Sequence, residues 1–471
     1  MKTECSGKPA GFKPLGRRDV VARFDGGDVT SDGGGLLLRE LEARVGIIRS
    51  FAACFTDHRD ASRIEHTVEE LVAQRVYGLA LGYEDLNDHD ELRHDPMMAV
   101  LVGKEEPKGT DRRRSRDHGK ALAGKSTLNR LELTPAELEG EGRYKRIVLD
   151  DAKASDFFVD AFLDSYEKPP GEIVLDLDAT DDPLHGRQEG RFFHGYYLTY
   201  CYLPLYIFCG DHLLCAKLRP SNIDAPLGTR EELERIVTRI RARWPDVGIT
   251  IRADSGFCRD EIMSWCENNA VDYVLGLARN VRLQRILERD LEEAKKLCEN
   301  SGAPARVFKD FTYTTLKTWS RRRRVVGKAE HLPAGPNPRF VVTSKKKTEI
   351  GAREVYEDLY CARGEMENRI KEQQTMLFAD RTSTHHMRSN QIRLWFSSVA
   401  YVLMNALRRT ALQGTRMERA QCDTIRLKLL KIGAQVRVTV RKIWVSLSES
   451  SPYQTLWSRV WNRLASVALP A

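Results

Sequence analysis

The sequence has no C-x-x-C pair among its 10 cysteines and no uncharged stretch long enough to cross a bilayer. Scattered thiols of this kind argue against a zinc site or a disulfide framework, so a reducing cytoplasm is the expected compartment. The longest uncharged stretch runs from Gly195 to Gly210 and is broken by Pro204. Its tyrosines and threonines suit a β-hairpin better than a membrane span. No apolar run follows Met1-Lys2-Thr3-Glu4-Cys5, so no signal peptide is expected. What remains is a chain of 471 residues, 41% apolar and 30% charged. That is the make-up of an ordinary soluble protein of roughly two to four domains.

The net charge of +8 hides an asymmetry. Residues 301–471 hold 31 Lys and Arg against 13 Asp and Glu, whereas residues 1–300 hold 44 against 54. The split suggests a polyanion partner for the C-terminal third, with a solvated charged surface as the plainer alternative.

The most informative stretch is Ile173-Val174-Leu175-Asp176-Leu177-Asp178. It reads as a buried strand that ends in acid, with Asp176 and Asp178 on one face. Carboxylates there are costly unless they meet a cation or a donor, and a divalent metal is the usual reason for them. Ahead of it, Leu36 to Phe55 and Val68 to Leu81 read as amphipathic helices. The acidic, His-containing segment from Tyr83 to Asp95 reads as a polar loop rather than a metal site. Residues 104–120, with Arg112-Arg113-Arg114-Ser115-Arg116, read as an exposed linker or a phosphate-contacting arm. Thr134-Pro135 has the pattern of a helix start.

After the acidic strand come aromatic strands at about 192–203 and 205–218, with a turn signal at Cys209-Gly210-Asp211. Thr229 and Glu232 form a capping-box pattern for a helix whose face is Leu233, Ile236, Val237, Ile240 and Trp244. A strand over Gly248 to Ala253 ends at Asp254, then a helix at about 258–268 and a strand at about 271–277 follow. The order β-β-β-α-β-α-β, with acids ending the first and fourth strands, is ribonuclease H-like. Residues 285–350 interrupt it as a basic β-insertion holding Trp319 and Arg321-Arg322-Arg323-Arg324. Helices resume at about 352–378 and 386–412. The tail, with Trp444, Trp457 and Trp461, is expected to pack onto the body.

In the helix after the insertion, Tyr360, Arg363, Glu367, Lys371 and Gln374 fall on one stripe at about 100° per residue. A carboxylate flanked by phenol, guanidinium and ammonium suits a metal ligand beside phosphate contacts, although an Arg363–Glu367 surface pair is the plainer reading. With Asp178 and Asp254, Glu367 completes a set of three acids able to hold two Mg²⁺ roughly 4 Å apart.

These residues carry a resemblance. Tyr360-x-x-Arg363-x-x-x-Glu367, Asp178-Ala179-Thr180 and Arg252-Ala253-Asp254-Ser255-Gly256-Phe257 resemble the signature of a DDE transposase of a bacterial insertion sequence, in its Y-R-E branch. The segments Thr30 to Leu36, Gly82 to Asp88 and Ser126 to Glu132 resemble the IS-thirteen-eighty group of that branch, so the likeness covers nearly the whole chain. It implies cleavage of element ends and joining to target DNA with two Mg²⁺, Mn²⁺ being able to substitute. Catalysis and metal binding would fall to Asp178, Asp254 and Glu367, and phosphate contacts to Tyr360, Arg363 and Lys371. The signature's lysine is Gln374 here, with Lys371 one turn earlier as its candidate substitute. Trp319 beside Arg321, Arg322, Arg323 and Arg324 suggests base stacking with phosphate contacts, against a core tryptophan as the alternative. The partners implied are double-stranded DNA, both terminal inverted repeats and target, and a second copy of the chain on that DNA. The expected location is the bacterial cytoplasm, at the nucleoid.

The expected fold is α/β, a ribonuclease H-like catalytic core interrupted by a β-rich insertion, with a helical N-terminal region. Its boundaries are 1–132 for the helical DNA-binding region, 133–170 for a helical connector, 171–284 for the first part of the core, and 285–350 for the insertion. Residues 351–412 form the second part of the core and 413–471 a basic tail. Three other readings compete. Gly119 to Ser126 matches a P-loop pattern but follows a run of arginines instead of a buried strand. Asp176-Leu177-Asp178-Ala179-Thr180 matches the motif of haloacid-dehalogenase-type phosphatases, with Asp176 as nucleophile. A catalytically silent DNA-binding protein is the third.

Overall fold

The computed structural model describes residues 9–137 and 145–468. The extreme N-terminus, read above for a leader, and the middle of the 133–170 connector lie outside the described residues. The chain divides into two compact units: one of Met1–Asp150, Met376–Phe378 and Val399–Ala471, the other of Asp151–Thr375 and Ala379–Ser398. No described helix is long and apolar enough to cross a membrane.

In the first unit the helix Val68–Leu81 is buried almost end to end. Thr67 and Glu70 close a reciprocal cap at its start, with bonds of 3.2 and 2.9 Å. At its other end the orphan carbonyls of Leu79 and Ala80 accept from the Arg426 guanidinium at 3.2 and 2.9 Å. A buried Arg75–Glu132 pair of 2.9 Å ties this helix to Lys125–Glu132. The region is not purely helical: it holds a hairpin of Ala10–Leu15 and Arg18–Ala22, and short strands Asp28–Thr30 and Phe55–Asp57. The single helix read from Leu36 to Phe55 is two, Leu36–Val45 and Ile47–Ala52, divided by Gly46 at φ 65°. From the tail, Ala434–Val438 pairs antiparallel with Asp28–Thr30. Its aromatics pack less than the sequence suggests, because Trp444 and Trp461 are each 47% exposed.

The second unit is built on a nine-stranded mixed sheet. Glu172–Ala179 lies parallel to Gly248–Ala253, which lies parallel to Asp272–Leu277. The hairpin Leu205–Cys209 and His212–Lys217 pairs antiparallel on the other side of Glu172–Ala179. Leu205–Cys209 of this hairpin lies next to the acidic strand, with His212–Lys217 outside it. The aromatic segment at 192–203 instead forms a separate small sheet of Asp182–Pro183, Phe192–His194 and Thr199–Tyr202. Pro204, which has no amide to donate, stands between the two sheets. The strands Ala305–Tyr313, Arg323–Leu332 and Arg339–Thr343 extend the same large sheet through antiparallel pairing of Arg339–Thr343 with Asp272–Leu277. The 285–350 segment is therefore continuous with the core sheet.

Helices Asp151–Leu163 and Thr229–Arg243 lie together, and Arg235 and Arg239 reach Asp156 and Asp160 at 2.6 to 3.0 Å. The capping box read at Thr229 and Glu232 does not form. Gly228 occupies the N-cap position ahead of Thr229, and the Glu232 carboxylate is drawn to Lys217 and Arg235 at 2.7 and 3.0 Å.

Candidate active site

Strand alternation decides which side chains meet. Ile173, Leu175 and Leu177, with Ile249, Ile251, Ala253, Tyr273 and Leu275, enter the large core. The intervening residues therefore face the opposite side of the sheet, where Val274 packs with Val355, Tyr356 and Tyr360. The parallel register sets Arg252 beside Asp176 and Ala253 beside Leu177, so Asp254 follows in step with Asp178. Two carboxylates thus stand at the ends of neighbouring strands, whose backbones run about 4.8 Å apart.

Asp176 is fully engaged. Arg252 Nε and Nη2 donate to its two oxygens at 2.5 and 2.8 Å, and both side chains are buried. Arg252 Nη1 donates to the Leu359 carbonyl at 2.6 Å, fastening the acidic strands to the segment that carries Tyr360 and Arg363. A carboxylate locked in a bidentate pair is not available as a nucleophile, which removes the physical basis for the phosphatase reading.

Asp178 is held more loosely. Its Oδ1 accepts from its neighbour Ala179 N at 2.9 Å, and Arg363 Nη1 lies 3.9 Å from its Oδ2. Burial pushes its carboxyl up to about 6; Arg363 pulls against this, while Asp254 and Glu367 push further. Asp254 Oδ1 accepts from Gly256 N at 2.8 Å, capping the short turn Ser255–Phe257. Glu367, whose side chain is 60% exposed, accepts from Arg363 Nη2 at 3.2 Å. Arg363 therefore stands between Asp178 and Glu367. Burial disfavours its charge, yet these acids, with Tyr360 and Asp254, raise its pKa above the usual guanidinium range.

The helical segment is not one continuous α-helix. A wide π-helical turn spans Val355–Tyr360, a tight 3₁₀ turn Cys361–Arg363, an α-helix Gly364–Lys371 and a second π-helical turn Glu372–Met376. The changes of pitch break the stripe read at 100° per residue. Lys371 is exposed, whereas Gln374 Nε2 donates to the Asp181 carbonyl at 3.0 Å. Tyr360 lies over Gly276, where a Cβ would come within 2.6 Å of its hydroxyl and 2.9 Å of Ser255 N. A residue without a side chain is needed for that approach. Burial and Asp254 raise the Tyr360 hydroxyl pKa, with Arg363 opposing them.

Tyr197 escaped the sequence reading. Its hydroxyl donates to the Ala179 carbonyl at 3.2 Å, and burial together with Asp181, Asp178 and Asp254 raises its pKa. The signal was the aromatic run just after the acidic strand, read only as sheet.

The expected stacking and phosphate cluster divides. Trp319 is part-buried at the edge of the large core, edge-on to Tyr313 at 5.8 Å. Arg323 is buried and pairs with Asp260 and Glu267 at 2.6 and 2.7 Å. Arg324 pairs with Asp310 at 2.7 Å and donates to the carbonyls of Lys345 and Ile350. These three belong to the scaffold, as arginines on a strand meet acids of the elements packed beside them. Arg321, paired with Glu267 at 3.0 Å, and Arg322 stay exposed.

Among the described residues no three His, Cys, Asp or Glu side chains lie close enough together to hold a metal ion. The donor chemistry does suit one. Carboxylate oxygens are the ligands a hard divalent ion takes, and a half-buried Asp178, raised by desolvation and further by two neighbouring carboxylates, is the electrostatic situation a cation relieves. Arg363 fills that electrostatic role between Asp178 and Glu367.

The family model described as Transposase DDE domain group 1 matches residues 12–469. The chain belongs to the DDE transposase family. The activity of that family is DNA transposition, and its members typically use divalent metal ions. The chain is also similar to the piggyBac transposase solved by cryo-EM as a synaptic complex with hairpin DNA. That likeness has 10% identity and a TM-score of 0.38, over 94% of this chain and 86% of that one. None of the curated proteins matches. In this DDE transposase the acids at the strand ends are Asp178 and Asp254, with Glu367 approaching them through Arg363.

Proposed function

We propose that this DDE transposase cuts the ends of a bacterial insertion sequence and joins them to target DNA, using Asp178, Asp254 and Glu367 as its acids. The observation that carries the reading is the in-step placement of Asp178 and Asp254 on adjacent parallel strands, with Arg363 held against Asp178. The strand order, an antiparallel pair beside three parallel strands, supports a ribonuclease H-like core.

Asp178, Asp254 and Glu367 are the residues that would hold two Mg²⁺, with Mn²⁺ able to substitute. Bound there, the ions would supply an activated attacking oxygen and neutralise charge at the leaving oxygen. The chain's own residues do the rest. Glu367, exposed and held by one guanidinium, turns from Arg363 toward the two aspartates. Arg363 is then released to grip the phosphate beside the scissile bond, where its planar fork matches two phosphate oxygens. The Tyr360 hydroxyl, kept protonated by its raised pKa, donates to the same phosphate. Asp254 keeps its place through the Gly256 amide, so in-line positioning requires little rearrangement of the strand ends. Lys371, Arg321 and Arg322, all exposed, contact the DNA backbone. Residues 1–132 recognise the element ends, and two copies of the chain act together on them. The Tyr360, Arg363 and Glu367 spacing supports a reading of the enzyme as one of the Y-R-E branch.

The test is Mg²⁺-dependent cutting of labelled terminal-repeat DNA, with the repeats taken from the inverted sequences flanking the reading frame. Cutting that disappears in Asp254→Ala supports the reading. Tight binding with no cutting would make the chain a silent DNA-binding protein. Hydrolysis of small phosphate esters that depends on Asp176 would restore the phosphatase.

A further inference from the structure

The N-terminal unit contains a cleft of about 940 Å³ between the loop at residues 58–66, the arginine run at 112–116 and the start of the helix Lys125–Glu132. Ten arginines and lysines line it, against four aspartates and glutamates. The first 300 residues carry more acid than base, but the 104–120 segment, read from the sequence as a linker or a phosphate-contacting arm, forms one wall of this basic cleft. Folding collects the cations of that acidic stretch on one surface.

The arginines of the run have separate duties. Arg112 is pinned across the cleft, donating to Glu65 at 2.8 Å and meeting the His66 ring at 2.6 Å. Arg113 donates to the Ser62 carbonyl. These bonds hold the run against the 58–66 loop. Burial, then Lys104, Arg112 and Arg59, press the His66 pKa down to about 3, so its ring is neutral and adds no charge to the group. Arg114 and Arg116 are exposed, and Arg116 reaches only its neighbour Asp117, at 3.8 Å. Arg63, with 76% of its side chain exposed, has a 3.2 Å contact to Asp60, a surface pair of small worth. With the run fixed through Arg112 and Arg113, the loosely neutralised guanidinium groups of Arg114 and Arg116 are presented from a held segment, which limits the freedom lost when they meet an anion.

We infer that this cleft is a phosphate-backbone track for double-stranded DNA, read without regard to sequence through Arg63, Arg114 and Arg116. The inference rests on the proposed transposase reading for its choice of partner. The lining cations come from separate segments, Arg59 and Arg63, Arg93, the 112–120 run, Arg130 and Arg146, around a cleft of about 940 Å³, more room than a single small anion fills. Guanidinium forks also match phosphate oxygens in pairs. A track of this kind would position the duplex, leaving sequence to be read elsewhere.

The experiment uses the full chain and its R63Q/R114Q/R116Q variant, binding a fluorescein-labelled duplex of mixed sequence over a salt series. Each phosphate contact removed lowers the slope of log affinity against log salt by about 0.9. The expected result is a slope smaller by about 2 to 3, the same shift on a second, unrelated duplex, and an unchanged unfolding midpoint. Unchanged affinity and slope in the folded variant overturn the inference, as does a shift seen with one duplex and absent with the other. The outcome is separable from the transposase reading. A wild-type chain that cuts terminal repeats while the variant binds as before leaves that reading standing without this track. A chain that binds through the track but never cuts leaves the track without the reading.

Discussion

Asp176 and Asp178 lie two residues apart on one face of one strand, each facing an arginine, yet they do different things. Asp176 is clamped by Arg252 at 2.5 and 2.8 Å and buried; Asp178 has the Ala179 amide at 2.9 Å and a distant Arg363 at 3.9 Å, and burial with two other carboxylates raises its pKa. The difference separates a fastening from an acid left under electrostatic tension. An acid with both oxygens satisfied holds the fold together, whereas one left under electrostatic tension is ready for a cation or a phosphate.

The contrast is sharpest where the fastening is broken. Arg252→Ala leaves Asp176 buried without its cation, and the expected loss of stability in urea unfolding is about 3–5 kcal/mol. Arg363→Ala is expected to cost less than about 1 kcal/mol in the same measurement, because Asp178 and Glu367 lose a cation they hold only weakly. Equal losses would erase the distinction.

Protonation tests the Asp178 side. Its folded pKa, about 6, lies above the ordinary 3.8, so its contribution to stability is complete below pH 3.8 and disappears as pH rises through about 6. Asp178→Asn should therefore leave stability unchanged at the acid end and raise it by up to about 3 kcal/mol near pH 8. A parallel shift at both pH values would mean that the carboxyl is not under tension.

Gly276→Ala is the next smaller effect. The added Cβ meets the Ser255 amide as well as the Tyr360 hydroxyl, and only the latter can swing aside. The expected cost is about 1–3 kcal/mol together with weaker DNA cutting. Smallest is the pair within the second arginine run. Arg323→Ala should destabilise measurably, and Arg322→Ala should stay within about 0.5 kcal/mol of the parent in thermal unfolding.

Much of the strand-end arrangement of Asp178 and Asp254 was legible in the sequence. An apolar run ending in Asp178 and a short strand ending at Asp254 are what buried parallel strands look like, and a strand period of two puts alternate residues on one face. The partners were not legible. Nothing local says that Arg252 will reach Asp176 and Leu359, or that Arg323 and Arg324 will be taken up by Asp260, Glu267 and Asp310. Those pairings join residues from separate elements. The stripe from Tyr360 to Gln374 was drawn at one pitch, and the two π-helical turns change its phase, so Gln374 and not Lys371 reaches the segment after Asp178. The 285–350 strands read as an insertion because sequence order cannot show that Arg339–Thr343 pairs with Asp272–Leu277.

The central claim concerns the two strand-end aspartates, and Asp178→Asn tests it most directly. Cutting of labelled terminal-repeat DNA in Mg²⁺ by the folded variant should fall by more than about a hundredfold, exceeding what loss of a residue merely supporting a metal ligand costs. Cutting at the parental rate by that folded variant would contradict the account.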